Sequence, residues 1–290
     1  MKHFSFYFIL VLIGLFDITY AQLPHTFIQT AHNTEYGSPV SVALGSDGTV
    51  FIAYGDGGLR AYSYDGSFLT NTAHIIDGGY AAGVVVGSDG TVFLANGDDG
   101  LRAYSYDGSS FINTAHLYDE GYASGVEVAS DGIVFLANGA DGLRAYSYDG
   151  SSFTNTAHTD DGGSAWGVAA DPDGTVFIAN EGDGLRAYSY DGSSFINTAH
   201  IYDGSYASGV AVDSDGTVFL ANNYDGLRAY SYDGSSFTNT AHIDDGGYAH
   251  GVTVGSDGTV FIANGDDGLR AYSYDGSSFS NTAHIYDDGD

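Results

Sequence analysis

Gly142-Leu143-Arg144-Ala145-Tyr146-Ser147-Tyr148-Asp149-Gly150 is one of six identical stretches, which begin at Gly58, Gly100, Gly142, Gly184, Gly226 and Gly268 and recur every 42 residues. A fixed period of this size means one supersecondary unit copied in a row, each copy too small to bury its apolar face alone. Read as a strand, the stretch sorts its side chains by size. Leu143, Ala145 and Ser147 fall on one face and Arg144, Tyr146 and Tyr148 on the other. The bulky face of one copy can therefore fill against the small face of the next.

The rest of the unit reads outward from that strand. In the copy from Tyr206, the runs Ala207–Val212, Thr217–Ala221, Leu227–Tyr232 and Phe237–His242 alternate with Asp-Gly or Asn-rich turns. Short runs rich in Val, Phe, Tyr and Thr between such turns are strands joined by tight hairpins. Nothing has the length or period of a helix. The run Thr217–Ala221 is apolar on both sides, so both of its faces must be covered.

Four-stranded units of this length, stacked radially, make an all-β propeller. First strands occur six times, ending at Leu44, Val86, Val128, Ala170, Val212 and Val254, which predicts six blades over residues 38–290. The fourth-strand marker Thr-Ala-His occurs seven times, ending at His32, His74, His116, His158, His200, His242 and His284. One copy is surplus. Either Phe27–His32 closes the ring on the last blade, or an end strand stays unpaired and offers a template for another chain, giving a homo-oligomer or filament.

Residues 1–21 read as a secretory leader, with Lys2 and His3 before the apolar run Phe4–Phe16 and Thr19-Tyr20-Ala21 at the cleavage position; residues 22–37 form an N-terminal segment carrying the extra strand. That run is short of the roughly 18 to 20 apolar residues of a membrane span. The chain is expected to be secreted, extracellular or periplasmic, without membrane insertion. It contains no cysteine, so apolar burial rather than disulfides must hold it. The net charge of −30 argues against nucleic acid and anionic membranes as partners. Only Glu35, Glu120, Glu127 and Glu181 are glutamates; most of the remaining acid is Asp beside Gly, which is turn chemistry.

The runs Gly-Tyr-Ala-x-Gly-Val-x-Val, Asp-Gly-Thr-Val-Phe-x-Ala-Asn and Asp-Gly-Leu-Arg-Ala-Tyr resemble the LVIVD-type repeat of secreted bacterial β-propellers, and are similar to NHL-type blades. The resemblance covers residues 38–290. It implies a propeller of the binding or surface kind. Tyr-Ser-Tyr stands where that repeat carries an aliphatic run ending in Asp, and no proline follows it.

Arg60, Arg102, Arg144, Arg186, Arg228 and Arg270 are equivalent copies, each just past an Asp-Gly or Gly-Gly turn, and are expected to make structural inter-blade ion pairs with carboxylates such as Asp99 and Asp141. The marker histidines repeat once per blade on the outermost strand, too far apart to share a metal. Asp171-Pro-Asp173 and Asp213-Ser-Asp215 resemble calcium loops, but other copies lack the first acid, and tight turns account for them better. No cofactor is expected, with calcium the sole alternative.

Positions at which near-identical copies disagree have been released from packing or recruited. One innermost-strand position reads Val40, Ala82, Ser124, Trp166, Ser208 and His250; a second reads Ala43, Val85, Glu127, Ala169, Ala211 and Thr253. Trp166, His250 and Glu127, with Tyr54, Glu181 and Tyr224 from the variable second turn, are the candidate ligand-binding residues at the channel mouth. The expected function is non-enzymatic recognition of a glycan, peptide or surface protein. A structural surface or matrix protein is the alternative, and a lactonase- or lyase-like six-bladed enzyme a further one. Among enzyme signatures there is no nucleophile elbow, no His-x-x-x-His pair and no Gly-rich phosphate loop.

Overall fold

A computed structural model describes residues 27, 29–31 and 38–286. It is all-β, with six blades of four antiparallel strands each, arranged as a propeller; the one helical turn among the described residues is the 3-10 turn Gly265–Asp267. Blades 1 to 6 span residues 41–75, 83–117, 125–159, 167–201, 209–243 and 251–285.

Blade 3 illustrates the unit: Gly125–Val128 lies innermost, followed by Val134–Ala137, Leu143–Tyr148 and, outermost, Phe153–Thr159. The third strand pairs with the fourth through a register shift between Ala145 and Tyr146. At that bulge Thr156 donates to the Ala145 carbonyl, 3.1 Å away, and its hydroxyl meets the Tyr190 hydroxyl of the next blade. A bulge also adds twist, which propeller blades need.

The core is divided into layers between blades. Five clusters of buried side chains join blade 1 to 2, 2 to 3, 3 to 4, 4 to 5 and 5 to 6. In each, a second-strand phenylalanine meets two aromatic rings of the following blade: Phe177 stands edge-on to Tyr232 with centroids 5.5 Å apart, and 6.2 Å from Phe237. The size sorting of the third strand works as expected, with Tyr146 and Tyr188 buried against the small Ala residues of the preceding blade. Burying an aromatic side chain of this size contributes on the order of 2–3 kcal/mol.

The leader, and His32 of the surplus marker, lie outside the described residues. Among the described residues blade 6 has its own outer strand, Phe279–Ile285, in a sheet of four strands. No helix among the described residues is long and apolar enough to cross a membrane.

Candidate functional site at the channel mouth

In blades 2 to 5 the innermost strands converge on the axis so closely that a side chain at their first position has no room. A Cβ on Gly125 would lie 2.6 Å from the Trp166 carbonyl oxygen, and one on Gly167 would lie 3.1 Å from the Gly209 Cα. Glycine is therefore required in those four blades, Ser41 stands at the position in blade 1, and the residue just before it lies at the rim. That rim position is the divergent one: Val40, Ala82, Ser124, Trp166, Ser208 and His250 all line one cavity of about 900 Å³. Below the rim, Val84, Val126, Val168, Val210 and Val252 form an apolar throat.

Trp166 is 51% exposed, held at the rim by its backbone N–H, which donates to the Ala179 carbonyl at 2.9 Å. His250 is fixed likewise, through Ala263, and its ring stacks on Tyr248 with centroids 6.3 Å apart. Tyr248 in turn stands edge-on to Tyr224, 4.8 Å away. Tyr224, His250 and the cavity are thus linked by a residue the sequence reading missed, because Tyr248 belongs to the common Gly-Tyr-Ala pattern and does not diverge. Burial lowers the His250 imidazole below its ordinary value, only partly opposed by the Asp266 carboxylate, so the ring is neutral at pH 7. A neutral imidazole both donates and accepts.

The other nominated residues lie elsewhere. Tyr54 is buried in blade 1, where its ring lies under the Arg60 guanidinium at 4.7 Å and its hydroxyl bonds Tyr62, so it is a local packing device and not a lining residue. Glu127 occupies the seam-facing position that Val85 and Ala169 hold in other blades; burial pushes its carboxyl up to about 7 against the help of the Val128 N–H. Glu181 sits in the left-handed region at φ 48°, where blade 5 places Asn223 and the other blades glycine, and bridges to Ala207 of the next blade. Neither lines the cavity.

Arg102, Arg144, Arg186, Arg228 and Arg270 pair with the expected carboxylates, but these belong to the same hairpin and not to the neighbouring blade. Arg102 Nε lies 2.6 Å from Asp99 of its own hairpin, and its other end reaches Asp77 on the loop that enters the blade. Tyr104 donates to the same Asp77 carboxylate at 2.9 Å. Burial alone would raise the Asp99 carboxyl, yet Arg102 and Asn96 outweigh it and hold it below its ordinary value. The network clamps a blade to its own incoming loop, and recurs at Arg144, Arg186, Arg228 and Arg270. In blade 1, Gly57 stands where the other blades carry the hairpin Asp, and the Arg60 guanidinium lies over the Tyr54 ring.

Among the described residues no group of three His, Asp or Glu side chains is placed to hold a metal. Asp213 is pushed up to about 6 by burial and by its neighbour Asp215, and accepts from the Thr217 N–H, in keeping with a tight turn.

Solved structures share the architecture. A protein from Lactobacillus plantarum matches with a TM-score of 0.77 at 16% identity over 86% of each chain. A gluconolactonase from Xanthomonas campestris matches with a TM-score of 0.57 at 18% identity, over 78% of this chain and 83% of that one. Such identities show the fold alone. No family model matches the chain, and no curated protein matches it either. The expectation of a non-enzymatic recognition module is corrected here: one protein of this architecture is a lactonase, and neither speaks for a non-enzymatic role.

Proposed function

We propose that the channel mouth binds a small, uncharged, ring-bearing molecule of the sugar or sugar-lactone class. The observation that carries this reading is convergence: six copies that are otherwise nearly identical differ at one rim position, and all six of those residues line the same cavity. Trp166 offers a flat apolar face for a ring, while Ser124, Ser208 and neutral His250 offer donors and acceptors for hydroxyl or ester oxygens. Among the described residues no Lys or Arg lines the cavity, which together with the overall charge of −30 disfavours anionic ligands. The likeness of the architecture to a gluconolactonase supports including lactones, for which His250 is the candidate group to take a proton from an attacking water. The leader-like N-terminus and the LVIVD-like repeat support an exported setting.

The single tryptophan makes the test direct. Trp166 fluorescence is titrated with neutral sugars and their lactones, and lactone hydrolysis is followed in parallel by acid release. Saturable quenching that His250→Ala weakens at least roughly tenfold, about 1.4 kcal/mol, supports the reading. No spectral change with any member of the class, in a protein that unfolds cooperatively, overturns it.

A further inference from the structure

The seam between blade 6 and blade 1 differs from the other five. Isolated bridges join Gly55 to Ala81, Gly97 to Ala123, Gly139 to Ala165, Glu181 to Ala207 and Asn223 to Ala249, but none joins the equivalent pair Gly265 and Pro39. Pro39 has no N–H to complete such a bridge. A Cβ on Gly209 would lie 3.1 Å from the Gly251 Cα of the next blade, whereas a Cβ on Gly251 would meet only Ala263 of its own blade, at 3.9 Å. Phe261 and Leu269 of blade 6 are half-buried where their counterparts are buried. The cavity wall there extends to Gly265, Leu269 and Tyr286.

The N-terminal segment reports the width of the opening. In closed seams the outer-strand phenylalanine of one blade meets the second-strand phenylalanine of the blade before it, as Phe153 meets Phe93 at 6.1 Å. The outer-strand threonine meets a tyrosine of the blade after it, as Thr72 meets Tyr106 at 2.5 Å. Phe27 and Thr30 stand at the same two repeat positions. Phe27 meets Phe261 of blade 6 at 6.3 Å, and Thr30 accepts from the Tyr64 hydroxyl of blade 1 at 2.6 Å. Phe27 and Thr30 therefore make, toward both neighbours, the contacts of the outer strand of a blade standing between them. At the other side, the Thr282 hydroxyl donates to the Ala271 carbonyl at 3.1 Å, as its counterparts do, and among the described residues no tyrosine hydroxyl of a following blade meets it.

We propose that this seam is a docking site for a three-stranded antiparallel sheet of the same repeat chemistry, the inner three strands of a seventh blade whose outer strand the N-terminal segment supplies. The occupant carries the pattern of residues 251–274: a Gly-Val-x-Val strand against the axis, a second strand with its phenylalanine, and Leu-Arg-Ala-Tyr-Ser-Tyr pairing along residues 27–31. Its last tyrosine bonds Thr282, and its tyrosine face covers Phe261 and Leu269 as Tyr232 covers Phe177. The occupant would border the same cavity beside Val40 and His250, whereas the rim residues of blades 2 to 5 lie away from the seam, so its docking is read by melting and exchange and not by Trp166 fluorescence.

The full chain is mixed with a polypeptide copying residues 247–274, and, because three strands alone can precipitate, the same segment is also joined after residue 290. The expected result is a one-to-one complex, or an intact fusion, melting about 10 °C higher, with amide exchange at Ile262 slowed roughly tenfold or more. Phe261→Asp abolishes both effects. An unchanged melting temperature in both mixture and fusion overturns the proposal. So does a dimer of the unmodified chain that Phe261→Asp dissolves, which would make a second copy the occupant.

Discussion

The seam between blades 4 and 5 and the seam between blades 6 and 1 are built from the same repeat, and they are not alike. Phe177 is 1% exposed and touches two aromatic rings of blade 5; Phe261, its counterpart, is half-buried and touches Phe27 of the N-terminal segment. The difference teaches that pairwise complementarity between blades is local, whereas closure is a property of the whole ring. Each blade fixes the angle to its neighbour through its own twist and packing, and five such angles leave the sixth seam no freedom to choose its width.

The largest effect should fall on the phenylalanines. Phe177→Ala is expected to cost about 4 kcal/mol and Phe261→Ala only about 1 kcal/mol, read by urea unfolding. Equal losses would break the contrast between seams. The arginine clamps should sharpen it by one step: Arg144→Ala, which strands two half-buried carboxylates, is expected to cost about 2 kcal/mol, and Arg60→Ala, in the blade that lacks the hairpin Asp, about 1 kcal/mol.

Glu127 tests a closed seam through pH. Its folded pKa is raised from 4.5 to about 7, so the folded state binds the proton more tightly than the unfolded chain does. Stability is then highest below about 4.5, falls as pH rises through the interval to about 7, and is level above it. Glu127→Gln should stabilise by about 2 kcal/mol at pH 8 and leave stability at pH 4 unchanged. The smallest effect lies in the outer turns, away from any seam. Asp149 accepts from the backbone N–H and hydroxyl groups of Ser151 and Ser152, which lower it to about 2. That contribution is present above the unfolded value near 3.8 and lost as pH falls toward 2. Asp149→Asn should slightly flatten the acid limb of the melting curve, and an unaltered limb would remove the turn from the account.

The candidate site was legible where divergence and geometry coincide. Trp166 and His250 were nominated from the copies alone because the rim position varies between blades that are otherwise nearly identical. Tyr248 could not be found this way, since Tyr80, Tyr122 and Tyr206 stand at the same position in other blades and it gains its role only from the ring of His250 beside it. Tyr54 misled for the opposite reason: it diverges to compensate for Gly57, a replacement inside the same blade.

Strand order, the tight turns and the number of blades were determined by the sequence itself, because each rests on contacts within 42 residues that recur six times. Whether the ring meets itself was decided by the tertiary structure alone. Closure depends on the accumulated angle between blades that never touch, and on what stands opposite Phe261 and Thr282, and no repeat read by itself contains that sum.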